Sequence, residues 1–321
     1  MGCKNVMVYV ETAEGKPVNV GLEMLTAAKE IAEKVTAVVI GADVANAAAT
    51  AISFGADEAI TVNADAFNAE AYAVILKELV KKYAPEMVFV GATPDGKDLG
   101  ARLAAEIKAG CVTDVTGIKE ADGKIVLTAP LYGGCIFSDV AVEGDVVIAI
   151  VRGGVFKKAE PVEGKEGTVT AETVEAADLK TKIVDVVQEI SESVNLEEAE
   201  VIVAGGRGLG NAENFALVKE LADLLGGVVG ATRPAIEDGW ISRAHQVGQS
   251  GKIVAPKLYI AAGISGATQH VSGMSGSDYI VAINKDEDAS IFDVANVGIV
   301  GDAIAALKLM IEEVKKMKAD E

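Results

Sequence analysis

Four short segments in the last third of the chain combine glycine with polar side chains: Gly205–Gly210 (GGRGLG), Ala231–Pro234, Gln246–Gly251 (QVGQSG) and Gly263–His270 (GISGATQH). Such sequence suits loops that bind an anion through backbone N–H groups. GGRGLG follows an aliphatic run and opens a helical one, as a phosphate loop does. It is not GxGxxG, because Asn211 stands at the last glycine position, and it lacks the Gly-Lys-Ser/Thr ending of a Walker A loop. It reads equally well as a tight turn, but Arg207 favours binding, since a guanidinium at a strand tip pairs with phosphate or carboxylate. GISGATQH is the sharper signal: Ser265-Gly266 starts a short helix of small first residues, whose free amides can approach a pyrophosphate. The alternative is a capped helix with a packed loop. In QVGQSG, Gln249 and Ser250 suit a heteroaromatic edge or a polyol, although alone the segment is a loop.

Acid–base or nucleophilic chemistry finds no support. His245 and His270 have no evident Ser and carboxylate partners, and neither HExxH nor GxSxG occurs. Cys3, Cys111 and Cys135 form no CxxC pair, which reads as reduced thiols without a zinc or iron–sulfur site. Residue types and spacing therefore point to a phosphate-bearing ligand, a dinucleotide, held in a second domain.

The elements that must present these loops are aliphatic. Of 321 residues, 50% are hydrophobic but only 4% aromatic, and 34 Gly accompany 7 Pro, a profile for α/β layers. The net charge of −19 repels nucleic acid and anionic membranes. No run reaches the ~18 apolar residues of a spanning helix. The opening MGCKNVMVYV enters a strand at once, with Val6 where myristoylation wants Ser or Thr, so a cytoplasmic protein is expected.

Strand-like runs at 6–10, 36–40, 59–62 and 87–90 alternate with helical stretches at 22–32, 45–53, 69–82 and 99–109, which predicts a parallel sheet. Beyond Val112, runs at 124–131, 136–141 and 146–151 predict antiparallel additions, and a further strand is expected at 183–190. The alternation restarts at Val201, with strands at 201–204, 258–262, 279–283 and 291–294 and helices at 211–225 and 302–317. The expected organisation is an N-terminal α/β domain (1–190), a linker or hinge (191–199) and a doubly wound domain (200–321).

The ordered series GGRGLGNAENF, GATRPAIEDGW, QVGQSGKIVAPKLYIAAGISGATQH, YIVAINKD and GIVGD resembles the alpha subunit of electron transfer flavoproteins. Gly91–Ala105, with Asp114-Val115-Thr116, is similar to that family's nucleotide-hydrolase-like first domain. The resemblance implies one FAD in the second domain, a beta subunit as heterodimer partner, and electron exchange with a dehydrogenase of the acyl-CoA type. By position it places Arg207, Thr232, Val247, Gly248, Gln249, Ser250, Asn284, Asp302, Ala303 and the run Ser265, Gly266, Ala267, Thr268, Gln269, His270 around FAD. Ser265, Gly266 and Ala267 would meet the pyrophosphate, and Asn284 and Asp302 the adenosine. Arg233, Gln249, Ser250 and His270 would surround the isoalloxazine and ribityl chain. Gly239–His245 departs from the mitochondrial-type pattern toward forms from anaerobes, some of which bifurcate electrons from NADH to ferredoxin and an enoyl-CoA reductase. Two readings of other classes compete: an NAD- or coenzyme-binding domain of the transhydrogenase type, and a nucleotide-binding regulatory protein.

Overall fold

A computed structural model describes residues 3–121, 123–134, 136–186 and 195–319. Two compact units divide at 187/188. Cys135, residues 187–190 of the expected strand and residues 191–194 of the expected linker lie outside the described residues. No helix is long and apolar enough to cross a membrane among the described residues.

The first unit is a seven-stranded, all-parallel sheet. Its strands are β1 (Cys3–Tyr9), β2 (Ala32–Gly41), β3 (Glu58–Asn63), β4 (Met87–Gly91), β5 (Gly110–Val115), β9 (Val147–Val151) and β10 (Thr168–Glu172), in the order β10-β3-β2-β1-β4-β9-β5. Val6 and Val8 of β1 pack toward one buried layer and Met7 and Tyr9 toward the other, the period-two pattern of a sheet covered on both faces. Helices α1 (Asn19–Ile31) and α2 (Ala45–Ser53) cover the first layer, and α3 (Ala69–Tyr83) and α4 (Pro94–Ile107) the second. Beside this sheet, β6 (Gly117–Ala121), β7 (Lys124–Leu131) and β8 (Ile136–Val140) form a separate antiparallel sheet.

Three expectations are corrected here. Val147–Val151 is no antiparallel addition but a central parallel strand, paired with β4 and β5. Its run VIAIV is buried almost throughout, as an interior strand of a parallel sheet requires. Residues 183–186 form no strand and lie exposed. α4 begins five residues before 99, because Thr93 accepts from the Gly96 amide at 2.9 Å and Pro94 follows it in the first turn. The Asp114 motif is structural: at φ +60° its carboxylate takes Nε and Nη2 of Arg152 at 2.8 and 2.6 Å.

The second unit is a five-stranded parallel sheet of β11 (Val201–Gly205), β12 (Val228–Ala231), β13 (Leu258–Ala262), β14 (Tyr279–Asn284) and β15 (Val297–Val300), in the order β12-β11-β13-β14-β15. Helices α5 (Phe215–Leu224) and α8 (Ala303–Ala319) bury Val218, Leu221, Leu307 and Ile311 on one face. The other face is covered by loop residues, among them Val247, Val254, Ile264, Met274 and Ile291, and by Leu196. Residues 291–294, expected as a strand, belong to a 3-10 turn, Ser290–Val294, and the strand that follows is Val297–Val300.

Where the chain leaves the first unit, residues 180–181 are tied down by one carboxylate. Glu70 Oε2 accepts from the amides of Lys180 and Thr181 at 3.0 and 2.8 Å and from Thr181 Oγ1 at 2.7 Å. Its Oε1 accepts from Arg102 Nη2 at 3.0 Å. Bonding from Thr181 above all holds the Glu70 carboxyl below its usual range. Glu70→Gln is expected to speed exchange of the Lys180 and Thr181 amides about tenfold or more, since hydrogen bonds to charged acceptors are the stronger ones. Unchanged exchange rates in hydrogen–deuterium measurements would show that the carboxylate does not hold this segment.

Candidate functional site

Strand order reverses in the second unit between β11 and β13, and at such a switch point the loops leaving the strand ends diverge and leave a crevice. A cavity of about 610 Å³ opens there. The four Gly-rich segments of the sequence all contribute to its lining.

The turns after β11 and β13 are interlocked. Gly206 N–H donates to Ala262 O at 3.0 Å and Gly208 N–H to Gly263 O at 2.9 Å. A Cβ on Gly208 would meet Gly263 Cα at 2.6 Å, and one on Gly206 would meet Gly263 O at 2.4 Å. These glycines thus serve the close approach of two backbones. Gly266 has a packing role as well: at φ +90°, its Cβ would meet Ile291 N at 2.1 Å.

Beyond Gly263 the backbone is rich in unspent donors. The amides of residues 265 to 269 find no acceptor among the described residues. The helix α7 (Thr268–Val271) starts three residues later than Ser265. Asn284 at the end of β14 donates through Nδ2 to Ile264 O at 2.8 Å and accepts from Asp286 N–H at 3.0 Å, fixing the entry to this turn.

The turn 246–252 forms the facing wall. Val247 N–H bonds Ala231 O at 2.9 Å, Lys252 N–H bonds Gln246 O at 2.7 Å, and Gln249 N–H reaches Gln269 O at 2.7 Å. The buried Gln246 donates through Nε2 to Ser250 Oγ at 3.0 Å. Thr232 and Arg233 enter from the end of β12, where α6 (Arg233–Glu237) begins. Arg233 Nε pairs with Glu237 Oε1 at 2.8 Å, one turn on, with 64% of its side chain exposed. Arg207 is exposed and makes no ion pair among the described residues.

Of the residues expected around the ligand, the structure gathers Arg207, Thr232, Arg233 and Val247 through Ser250 at the cavity, together with Ser265, Ala267, Gln269, His270 and Asn284. Gly266 and Thr268 lie in the same turn without lining it. Asp302 and Ala303 stand apart from the lining: Asp302 Oδ1 caps α8 through Ala305 N–H at 2.9 Å, and Oδ2 pairs with Lys285 at 2.8 Å. Lys285 and the helix amides hold its carboxyl below the usual range. Gly206, Gly208, Pro234, Gln246, Gly263 and Ile264 also line the cavity; they fall within the four Gly-rich segments read from the sequence, although the resemblance did not place them around the ligand.

His270 is buried and uses both ring nitrogens. Nδ1 lies 3.1 Å from Val247 O and Nε2 3.0 Å from the Tyr259 hydroxyl. A carbonyl only accepts, so Nδ1 carries the hydrogen and the neutral ring accepts from Tyr259. Burial pushes its pKa down to about 4, opposed by the Val247 carbonyl. The ring is therefore uncharged at neutral pH. Below about pH 6.5 the unfolded chain takes up this proton while the folded chain does not, until about pH 4. The stabilisation from His270 is whole above that window and shrinks by up to about 3 kcal/mol across it. Denaturant titrations of the chain and of His270→Gln should show the difference between them narrowing as pH falls from 6.5 toward 4. A difference independent of pH would place the imidazole in water.

Residues 6–179 match the family model described as the electron transfer flavoprotein domain, and residues 195–275 match the electron transfer flavoprotein FAD-binding domain. The electron transfer flavoprotein subunit alpha of Thermoanaerobacterium thermosaccharolyticum is 43% identical, covering 98% of this chain and 99% of that protein. Protein FixB of Clostridium saccharobutylicum is 41% identical over 98% of this chain and 97% of its own, and the electron transfer flavoprotein subunit alpha of Megasphaera elsdenii 42% over the same shares. Similarity of this extent, running through both units, shows that the chain belongs to the electron transfer flavoprotein alpha-subunit family.

Proposed function

We propose that the chain binds one FAD in the switch-point cavity and acts, in a heterodimer with a beta subunit, as an electron carrier for a flavin-dependent dehydrogenase of the acyl-CoA type. The observation that carries the site assignment is the meeting of Ser265, Ala267 and Gln269, whose backbone amides are unspent, with Arg207, which makes no ion pair among the described residues, on one cavity. Amide donors and a guanidinium fit a diphosphate. The cavity lies within the range of small-ligand sites, so an extended dinucleotide would reach beyond it along the strand tips. No carboxylate is among the lining residues, which favours an anion further. When bound, FAD supplies the redox chemistry that these side chains lack.

The chain's own residues bind, orient and bias. Arg233 lines the cavity with an exposed guanidinium, and Gln249 and Ser250 offer it an amide and a hydroxyl. A cation about 4 Å from developing negative charge, at an effective dielectric near 20, interacts by about 4 kcal/mol, or roughly 170 mV for one electron. Exposure and the Glu237 ion pair reduce that for Arg233 to the order of tens of millivolts.

Co-expression with the neighbouring subunit and a count of flavins per heterodimer test the reading. One flavin supports a simple carrier. Two flavins, with NADH as donor and ferredoxin as an acceptor, support the bifurcating form toward which Gly239–His245 points. A colourless complex after added FAD would refute the proposal. Arg207→Ala is expected to raise the Kd for FAD about 10- to 100-fold, the worth of one charge-assisted bond. Arg233→Ala is expected to lower the midpoint potential of the bound flavin, with little change in affinity. A redox titration that shows no downward shift would remove Arg233 from that role.

A further inference from the structure

Tyr259 is fully buried in β13 and does not line the cavity, yet it carries a hydroxyl where phenylalanine would fill the same aliphatic surroundings. That hydroxyl bonds His270 Nε2, its one partner among the described residues. The arrangement leaves a single consistent set of protons. Val247 O only accepts, so Nδ1 donates; Nε2 of the neutral ring is then a bare acceptor, and the phenol must donate to it. In the opposite tautomer a lone pair on Nδ1 would face the lone pairs of Val247 O, and the 3.1 Å bond would open.

The carbonyl held in this way belongs to a peptide plane fixed at its other end as well. Gly248 N–H donates to Lys252 O at 3.1 Å, and Gln249 N–H to Gln269 O at 2.7 Å. Gly248 sits at φ +139°, and Gly273 packs so closely against it that a Cβ there would meet Gly248 Cα at 2.4 Å. The backbone carrying Gln249 and Ser250 is therefore set from beneath, through the ring. We infer that Tyr259 is a positioning residue for the cofactor site: its hydroxyl donates to Nε2 of the Nδ1–H ring that the Val247 carbonyl requires, holding His270 in place so that the ring pins that carbonyl and with it the 247–250 wall. The inference rests on the reading that this cavity holds FAD. Among the described residues the ring's hydrogen-bond partners are the Tyr259 hydroxyl and the Val247 carbonyl, and these two determine where its proton sits.

The chain has only two histidines, so in the assembled complex ¹⁵N-histidine placed in this chain alone yields two rings to assign. One of them, removed by His270→Asn, is expected to remain the neutral Nδ1–H tautomer from about pH 5 to 8. In Tyr259→Phe the Nε2 signal of that ring is expected to shift as it loses its hydrogen bond, and the Kd for FAD to rise about tenfold, with fluorescence titration as the readout. In a His270→Asn background, Tyr259→Phe should add no further loss, because the hydroxyl acts only through the ring. An Nε2–H ring in the parent chain, ring signals unchanged by Tyr259→Phe, or independent and additive losses would each overturn the inference. A complex with the Nδ1–H ring and the Tyr259 response that never takes up FAD would instead overturn the assignment of the cavity.

Discussion

Gly208 and Gly263 lie closer than any side chain would allow, and that approach is the constraint on which the site depends. Parallel pairing of β11 with β13 runs in register to Gly205 and Ala262, so the two turns leave the sheet side by side. One turn then continues toward α5 and the other toward α7, and the crevice lies between their paths. If the turns were held apart by a methyl group, the hydrogen bond from Gly208 to Gly263 would open, and the donors of residues 265 to 269 would no longer share a wall with Arg207. The covering of this face by loops rather than by a long helix follows from the same geometry. These loops contribute Val247, Ile264 and Met274 to the core, so the segments that bind also pack.

The electrostatics of the site oppose those of the chain. A molecule with net charge −19 gathers two arginines and the residues Ser265, Ala267 and Gln269, with unspent amides, at a cavity with no carboxylate among its lining residues. Local composition thus outweighs the global field at short range, where screening is weakest. Asp302 is consistent with this division. Its charge is committed to Lys285 and to the start of α8, clear of the cavity.

Legibility of the sequence differed between elements for physical reasons. Strands β11, β13 and β14 and the helices α5 and α8 could be read, because aliphatic runs of this length ending in Gly-rich turns and long amphipathic stretches have few other uses. β9 was visible as a run, but its parallel neighbours were not: pairing is a long-range property, and β5 and β4 are remote in sequence. β10 sits in Glu- and Lys-rich sequence and is held at the sheet edge by β3 alone, so hydrophobic periodicity had little to report. At the site, loop chemistry pointed to the segments that line the cavity and left GGRGLG open between a phosphate loop and a tight turn. In the fold Gly206, Gly208 and Gly266 each face another backbone. Tyr259 left no signal at all, since a tyrosine within LYIAA reads as an ordinary strand residue.

The neutrality of His270 decides which groups can favour an electron-rich cofactor. An imidazolium at this position would lose its solvation inside the fold with no counter-charge to replace it, and the ring accordingly stays uncharged near neutral pH. Positive potential at the cavity must then come from groups that remain charged or polarised without a proton equilibrium: Arg207, Arg233 and the unspent amides. Such groups give a potential that varies little with pH. The imidazole contributes through rigidity, holding the wall against which those fixed charges act.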